Sequence, residues 1–410
     1  MNLERLKILE ENNVISTKVY NAMENIIFKL LLPKRLNLSD TDMFFTHLAM
    51  AMERNLKGNG IEEELDNFLK DEIIKNNNFE SAKKLYGLME DYFPCKLDDS
   101  EEEYIYMHLI TLIENSNILV PGLTLAHEHT TIDLSGIKND EDCNLNSKEE
   151  TIKEFKKLYN AGIRNILDMT NIGIGRNIEY VEDVRKNTGL NIVYGTGFYK
   201  EPFLPNYVTT KSVDELSEII IDELVNGIEK TNIRAGFIGE IGSSKDTMTD
   251  LELKVFEASI KAAKETEAVI STHTTLGTYA LEQLELFKKH NMDLDKIIIG
   301  HMDISGNLDI IMKLISEGVN IGFDTIGKNN YFPDSKRVMF LKEIEKAGFI
   351  NKVVLSMDIT RKSNMEYRGG IGYNYIIDKF IPMMKDEGIS DESIDKLLNS
   401  NIQRIFKWRI

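Results

Sequence analysis

The spacing of the hydrophobic residues changes part-way along the chain. Up to about residue 116, apolar residues recur at helical intervals, as in VYNAMENIIFKLLL and DMFFTHLAMAMERNLKG. From residue 117 onward, short β-branched runs alternate with amphipathic stretches such as LELKVFEASIKAAKET. We therefore predict an all-α bundle of about four or five helices over residues 1–116 and an α/β domain over residues 117–410. Asp40 or Thr41 is a candidate cap for the second of these helices.

Eight runs in the second domain are predicted strands. They are LTLAHEH, NILDMT, NIVYGTGFY, RAGFIGEIG, AVISTHT, IIIGHMD, VNIGFDTIG and VVLSMD. Eight strands that alternate with helices over about 290 residues have the length and order of a (β/α)8 TIM barrel. A doubly wound open sheet is the alternative, but that fold usually has a glycine-rich loop after its first strand, where this chain has HEH.

Composition excludes several classes of protein. The net charge is −18 and no run of lysine and arginine stands out, which disfavours a nucleic-acid partner. The two cysteines lack the spacing of a disulfide framework, which fits a reducing compartment. The N-terminal MNLERLKILEENN has no apolar signal core, and no stretch of ~18 apolar residues is present. We predict a cytoplasmic protein with no membrane partner.

Histidines and carboxylates cluster at the ends of the predicted strands. They are His127, His129, Glu240, His273, His301 and Asp358. In a (β/α)8 barrel the carboxyl ends of all strands meet on one face, so these side chains should converge there. Each histidine alone has an ordinary structural explanation, but four of the seven at strand ends do not. Six nitrogen and oxygen ligands are too many for one tetrahedral zinc ion and suit two adjacent divalent metals.

Two adjacent metals indicate hydrolysis. A pair of divalent ions ~3.5–4 Å apart lowers the pKa of a shared water, and the resulting hydroxide attacks a carbonyl or phosphoryl centre polarised by the same ions. Asp358 is the candidate catalytic residue that takes or relays the proton.

The second domain resembles a known family. The motifs TLAHEH, IDLSG, GEIG, STHT, GHMD, FDTIGKN and LSMDITR occur in order over residues 121–407. This series resembles the phosphotriesterase family of the amidohydrolase superfamily, and above all its branch of phosphotriesterase homology proteins. The resemblance implies one metal on His127, His129 and Asp358, and another on His273 and His301. Glu240 would bridge the metals in place of the carboxylated lysine of many members, a departure that argues against true triesterase activity. Zinc is the expected metal, with manganese as the alternative.

Two cations follow predicted strands, Lys328 in DTIGKNNYFPD and Arg361 in SMDITRKS. Lysine binds phosphate as a point charge and arginine as a planar fork, so both are candidate substrate-binding residues, while solvated loop charges are the alternative. Related enzymes that open phosphorylated sugar lactones resemble this arrangement. Asp324 is interpreted as a structural acid at a strand end, and His290 as a surface residue at a helix end.

The helical domain carries two further histidines. His47 and His108 lie on amphipathic segments that resemble the PTS regulation domain (PRD), which the sugar phosphotransferase system phosphorylates on histidine. The match covers roughly residues 10 to 115, with Arg54 seven residues after His47 and an acidic turn before His108. The resemblance implies phosphorylation of His47 or His108 by the phosphocarrier protein of that system, and a regulatory or oligomerising role, with a homodimer as the expected state.

The sequence thus predicts a binuclear metallohydrolase that acts on an ester or lactone, including a phosphorylated sugar lactone. Two alternatives stay open. One is a phosphoric ester hydrolase, and the other is a PTS-responsive regulatory or binding protein with an inactive barrel.

Overall fold

A computed structural model describes residues 3–38, 41–59, 65–76 and 78–407. The chain forms two compact units, which divide between Asn117 and Ile118. The second unit comprises residues 118–264 and 268–407. That the two units fold independently stays a prediction.

The first unit is helical, as the apolar spacing indicates. Its described residues form six α-helices rather than four or five: α1 Glu4–Glu11, α2 Thr17–Asn25, α3 Asp42–Leu56, α4 Asn67–Lys75, α5 Phe79–Glu90 and α6 Asp99–Asn115, with a π-helical segment at Ile26–Leu31. Helix α3 begins without a side-chain cap, because the Thr41 hydroxyl donates to the Leu38 carbonyl instead. The other candidate cap, Asp40, lies outside the described residues.

The second unit is a barrel of eight parallel strands. They are β1 Leu123–Glu128, β4 Ile163–Asp168, β5 Asn191–Thr196, β6 Phe237–Ser243, β7 Ile270–Thr274, β8 Ile297–Ile299, β9 Asn320–Phe323 and β10 Val353–Leu355. They are hydrogen-bonded in chain order, without the reversal of a doubly wound sheet. The predicted TIM barrel and its eight strands are therefore confirmed, although β8, β9 and β10 end before the polar residues that close their runs.

Helices follow the strands, as the alternating pattern predicts. They are α8 Lys148–Asn160, α9 Ile178–Thr188, α10 Val213–Val225, α11 Asp250–Thr266, α12 Ala280–Lys289, α13 Leu308–Glu317 and α14 Asp334–Lys346, with α15 Ile381–Asp386, α16 Asp391–Asp395 and α17 Asn401–Phe406 near the C-terminus. Two π-helical segments, Ile376–Phe380 and Lys396–Ser400, precede α15 and α17. A short excursion after β1 was not predicted: β2 Ile132–Asp133, α7 Ser135–Lys138 and β3 Asn144–Leu145, with β2 and β3 antiparallel.

The interior of the barrel is packed rather than open. Buried residues of successive strands, among them Ala126, Leu167, Val193 and Phe237, form one cluster with Ile402 and its neighbours on α17. This packing fills the middle of the barrel, so the polar strand ends face a pocket at the carboxyl side. No helix among the described residues is long and apolar enough to cross a membrane.

The seam between the first and last strands differs from the other contacts around the barrel. Within the described residues, β1 and β10 share no hydrogen-bonded ladder. They are joined beyond the end of β10, where the Asp358 backbone N–H donates to the His127 carbonyl at 3.2 Å. The seam therefore closes at the residues that the sequence singles out as metal ligands.

Candidate metal centre

All six predicted ligands lie at the carboxyl end of the barrel. β1 carries His127 and is followed by His129, β6 carries Glu240, β7 carries His273, and the turns after β8 and β10 carry His301 and Asp358. His301 and Asp358 have left-handed backbones, with φ of 59° and 53°. Non-glycine residues adopt this conformation at a cost of about 1–3 kcal/mol, and such strain is concentrated at functional sites.

Glu240 lies at the middle of the cluster. Its Oε2 is 3.2 Å from His273 Nδ1, 3.5 Å from His127 Nε2 and 3.6 Å from His301 Nε2. Its Oε1 is 3.6 Å from His129 Nε2. One carboxylate therefore faces all four imidazoles, the position that a bridging ligand would occupy.

The nitrogen and oxygen atoms at the centre of the cluster are arranged to bind a cation rather than to form hydrogen bonds with one another. Nε2 of His127, Nε2 of His129 and Oε2 of Glu240 are buried without a hydrogen-bond partner among the described residues. Orphaned buried polar atoms are rare, because each costs about 1–3 kcal/mol. Two groups of three centred on Glu240 have ligand atoms within 4.8 Å of one another: His127, His129 and Glu240, and Glu240, His273 and His301. Buried imidazoles and carboxylates in this arrangement fit divalent metals.

The tautomer of His129 follows from its neighbours. The Thr170 hydroxyl donates to the Thr131 carbonyl at 2.7 Å, so it can only accept from His129 Nδ1, 2.8 Å away. Nε2 of His129 is then unprotonated on the neutral ring and faces the site.

The tautomer of His273 is the opposite one. Thr275 donates its hydroxyl proton to the Ser243 carbonyl at 2.8 Å and so accepts from His273 Nε2, 3.2 Å away. This leaves Nδ1 as the lone pair that faces Glu240. The ligand set thus presents His273 through Nδ1 and His129 through Nε2.

Asp324 holds two of the imidazoles from behind. Its Oδ1 accepts from His301 Nδ1 at 2.7 Å, and its Oδ2 lies 3.3 Å from His127 Nδ1. Both rings therefore direct Nε2 towards Glu240. Asp324 is also close enough to the two histidines to complete a ligand group with them, but its bond to Nδ1 is that of a residue orienting a ligand.

Electrostatics keep the carboxylates charged. Burial would raise the pKa of Glu240, but the four surrounding imidazoles outweigh it and hold the pKa well below its usual range. The pKa of Asp358 is also lowered. The Lys328 ammonium donates to Asp358 Oδ2, and its charge outweighs the effect of burial. Ionised carboxylates are the form that binds a cation.

Two histidines of the site have very different pKa values in the metal-free protein. Burial lowers the pKa of His129, but its contacts with Asp358 and Glu240 outweigh burial and raise the pKa to about 9. Burial and the neighbouring His301 lower the pKa of His273 to about 4. A metal bound here would displace the proton of His129.

A buried glutamate that was not predicted fixes the loop of Asp358. Glu128, between the two histidines of HEH, accepts from the Ser356 hydroxyl and the Met357 N–H at 2.8 Å and from the Ile359 N–H at 3.1 Å. These groups bracket Asp358 in the chain. The middle residue of HEH thus ties β1 to the loop after β10.

The two predicted substrate-binding cations line the pocket, which has a volume of about 290 Å³. Lys328 points inward and contacts Asp358. The Arg361 side chain is 38% exposed and donates to Asp140 at 2.7 Å, with Asp142 at 3.5 Å. Both cations therefore already have carboxylate partners. His290 is half-buried at the end of α12, away from the pocket.

The two histidines of the helical unit are in direct contact. Nδ1 of His47 on α3 lies 3.1 Å from Nε2 of His108 on α6, and the rings are perpendicular. Arg54 lies seven residues after His47 on α3, and Glu101 lies seven residues before His108 on α6. The Arg54 guanidinium donates two hydrogen bonds to the fully buried Glu101 carboxylate. Burial lowers the pKa of both histidines, so they are neutral at pH 7.

Comparison with known proteins decides the family. A model of the phosphotriesterase family matches residues 108–406. The chain belongs to the phosphotriesterase family. A model of the PRD domain matches residues 18–112, within the helical unit. Both predicted resemblances are confirmed, and with them a hydrolase of a family whose enzymes use a binuclear metal centre.

Relatives within the phosphotriesterase family differ in chemistry. The chain is 45% identical to the phosphotriesterase homology protein of Escherichia coli, over 70% of this chain and 98% of that protein. A crystal structure of that protein with phosphate in its active site gives a TM-score of 0.69 over the same shares of the two chains. The chain is 31% identical to an aryldialkylphosphatase of Saccharolobus solfataricus, over 72% and 96%. A lactonase structure from Listeria monocytogenes shares 28% identity, with a TM-score of 0.68 over 72% and 97%.

Proposed function

We propose that the barrel is a zinc-dependent lactonase that opens a sugar lactone, with a phosphorylated sugar lactone as its substrate class. The observation that carries the proposal is the burial of orphaned imidazole and carboxylate atoms around Glu240, next to a pocket lined by cations. Imidazole and carboxylate ligands favour zinc, and manganese is the alternative. When bound, the two ions supply an activated water and polarise the carbonyl oxygen of the substrate.

Each predicted ligand has a role in this proposal. His127, His129 and Asp358 would hold one ion, His273 and His301 would hold the other, and Glu240 would supply a carboxylate to both. Asp324 orients two of the imidazoles from outside the ligand set.

Asp358 also handles the proton. Its Oδ1 lies 3.3 Å from His129 Nε2 and its Oδ2 accepts from Lys328, so the carboxylate is fixed at the edge of the pocket. Asp358 is ionised, because its pKa is lowered, and the ionised carboxylate is the form that has a free lone pair for a proton of the attacking water. Lys328 then holds the carboxylate in place, and an anionic leaving group would be neutralised beside it.

A phosphoric ester hydrolase is the alternative activity, supported by the aryldialkylphosphatase relative. One experiment separates the two. Protein purified without chelator is analysed for zinc and manganese, then assayed on sugar lactones with and without phosphate and on phosphoric mono-, di- and triesters. We expect about two metals per chain and turnover confined to lactones. Turnover confined to phosphoric esters would replace the lactonase proposal, and metal-free protein that fails to rebind zinc would overturn the ligand assignment.

We also propose that the helical unit accepts a phosphoryl group at His47 or His108 from the phosphocarrier protein of the sugar phosphotransferase system. Neutral imidazoles are nucleophilic, and the 3.1 Å contact lets one ring hold the proton of the other. Phosphotransfer to the full chain, compared with His47→Ala and His108→Ala, tests this role. If neither histidine ever carries phosphate, the unit has a packing or oligomerising role instead. A homodimer and a cytoplasmic location stay predictions.

A further inference from the structure

A buried arginine contacts both ends of the loop that follows β9. Arg337 lies near the start of α14 and is fully buried. Its Nη2 donates to the Thr325 hydroxyl at 2.9 Å, and its Nη1 donates to the Phe332 carbonyl and, at 2.8 Å, to Asp334 Oδ1. One guanidinium therefore joins the beginning and the end of the loop 325–334.

The same contacts fix the backbone around Lys328 in this loop. The Gly327 N–H donates at 3.1 Å to Asp334 Oδ1, the atom that also accepts from Arg337. The Lys328 N–H donates at 3.1 Å to the carbonyl of Thr325, whose hydroxyl is held by Arg337. A lysine side chain is a flexible four-carbon stem, so the reach of its ammonium depends on where the backbone is held.

A buried carboxylate on the neighbouring loop is the third partner of the guanidinium. Asp303, two residues after His301, accepts through Oδ2 from Arg337 Nε at 2.7 Å and from the Thr325 hydroxyl at 2.5 Å. Its Oδ1 has no hydrogen-bond partner among the described residues. Removal of the arginine would leave this buried charge uncompensated, so the guanidinium also ties the loop after β8 to the loop after β9.

The metal ligand on the loop after β8 has a support of its own. Asp324 accepts from the His301 backbone N–H at 2.8 Å and from His301 Nδ1 at 2.7 Å. The position of His301 should therefore depend less on Arg337 than the position of Lys328 does.

We propose that Arg337 is a positioning residue for hydrolysis, which fixes the loop 325–334 so that the Lys328 ammonium meets the Asp358 carboxylate. Arg337 is not among the residues that line the pocket, so it acts through Lys328 and without contact to the substrate. This inference rests on the roles proposed for Lys328 and Asp358, and it holds for a lactone and for a phosphoric ester alike.

Amine labelling tests the position of Lys328 without turnover. Metal-free, full-length wild type, Arg337→Lys and Thr325→Val are treated with a trace of acetic anhydride, and the labelled fraction of each lysine is read by peptide mass spectrometry. Arg337→Lys keeps a charge beside Asp303 but loses the planar fork, and Thr325→Val removes one contact of that fork. Lys328 is 10% exposed in the wild type. We expect its labelling to rise about tenfold in both variants, as loss of one charged hydrogen bond implies.

Arg176→Lys is the matched control. Arg176 is also buried and donates to both oxygens of Glu223, at 2.7 and 2.6 Å, but neither residue lines the pocket. Both Arg→Lys variants should melt at a lower temperature, and only Arg337→Lys should expose Lys328. Wild-type labelling of Lys328 in folded Arg337→Lys would overturn the inference, and so would an equal rise in Arg176→Lys. If Arg337→Lys does not fold, Thr325→Val decides in its place.

A double-mutant cycle connects this position to turnover. The kcat of zinc-loaded wild type, Arg337→Lys, Lys328→Met and the double variant is measured on whichever lactone or phosphoric ester the wild type hydrolyses. Arg337→Lys should lower kcat about tenfold in the wild type and have little further effect beside Lys328→Met. Equal losses in both backgrounds would show that Arg337 does not act through Lys328. If no substrate is hydrolysed but the labelling of Lys328 responds as expected, the positioning of Lys328 stands and the proposed function fails.

Discussion

Glu128→Gln tests whether the glutamate between the two histidines fixes the metal centre. The substitution keeps the shape of the side chain but replaces one carboxylate oxygen with an amide nitrogen. If the remaining oxygen keeps its bonds to Ser356 and Met357, the new amide nitrogen faces the Ile359 N–H, now 3.1 Å from an oxygen. The orphaned, fully buried N–H should cost about 1–3 kcal/mol.

That cost falls on the loop that presents Asp358. A loss of about 1.4 kcal/mol corresponds to a tenfold change in affinity, so we expect one of the two zinc ions to bind about 10–100-fold more weakly. Zinc affinity is measured on metal-free full-length protein by competition with a chromophoric chelator, and the melting temperature is recorded on the same samples.

Glu154→Gln provides the matched control. Glu154 is also buried and accepts two backbone N–H bonds, from Glu366 at 2.8 Å and Tyr373 at 2.9 Å, but neither donor is next to a predicted ligand in the chain. Tyr373 reaches the site through its hydroxyl, which donates to the His129 carbonyl at 2.6 Å, and the substitution leaves that bond in place. Both variants should melt at lower temperature, and only Glu128→Gln should lose zinc affinity. Two wild-type zinc affinities in Glu128→Gln would show that Glu128 stabilises the barrel without positioning the centre.

Three further predictions follow from the geometry. Glu240→Gln removes the charge that faces all four imidazoles, so it should lose at least one metal equivalent and activity; full occupancy with unchanged turnover would show that another group bridges. His47 and His108 have pKa values below the ordinary 6.5, so the unfolded chain binds their protons more readily. They should contribute stability above about pH 6.5 that is lost as the pH falls towards their folded values, and His47→Gln with His108→Gln should flatten this part of a denaturation profile. A chain that starts at Asn117 keeps every predicted ligand and should bind two metals; a folded barrel that binds none would refute the modular reading.

The sequence was most informative where local pattern determines structure. β-Branched runs located all eight barrel strands, because strands buried on both faces are continuously apolar. The runs overstated strand length, since residues such as His301 and Asp324 leave the ladder to reach the pocket. β2 and β3 were missed because two residues each are too few to give an alternating pattern.

The sequence predicted which residues belong to the site, but it did not predict the hydrogen bonds that connect and orient them. Metal-binding residue types marked the candidate ligands, but only the fold shows Asp324 behind two imidazoles and Glu128 beneath Asp358. The partners of Arg361 come from the unpredicted excursion after β1, so its neutralisation by Asp140 could not be foreseen. Contacts between residues more than 200 positions apart leave no periodic trace in the chain.

The seam of the barrel has a consequence for how metal leaves. β1 and β10 lack the ladder that joins every other neighbouring pair of strands, so the seam can open locally when the bonds from the loop after β10 to His127 and Glu128 break. His127 and His129 lie on one side of that opening and Asp358 on the other. An ion bound between them would therefore hold the two sides of the seam together. It would dissociate when the seam opens, and the same opening would expose the amides of Met357 and Ile359 to exchange with solvent deuterium. Added zinc should slow exchange at these two amides more than at those of the central strands.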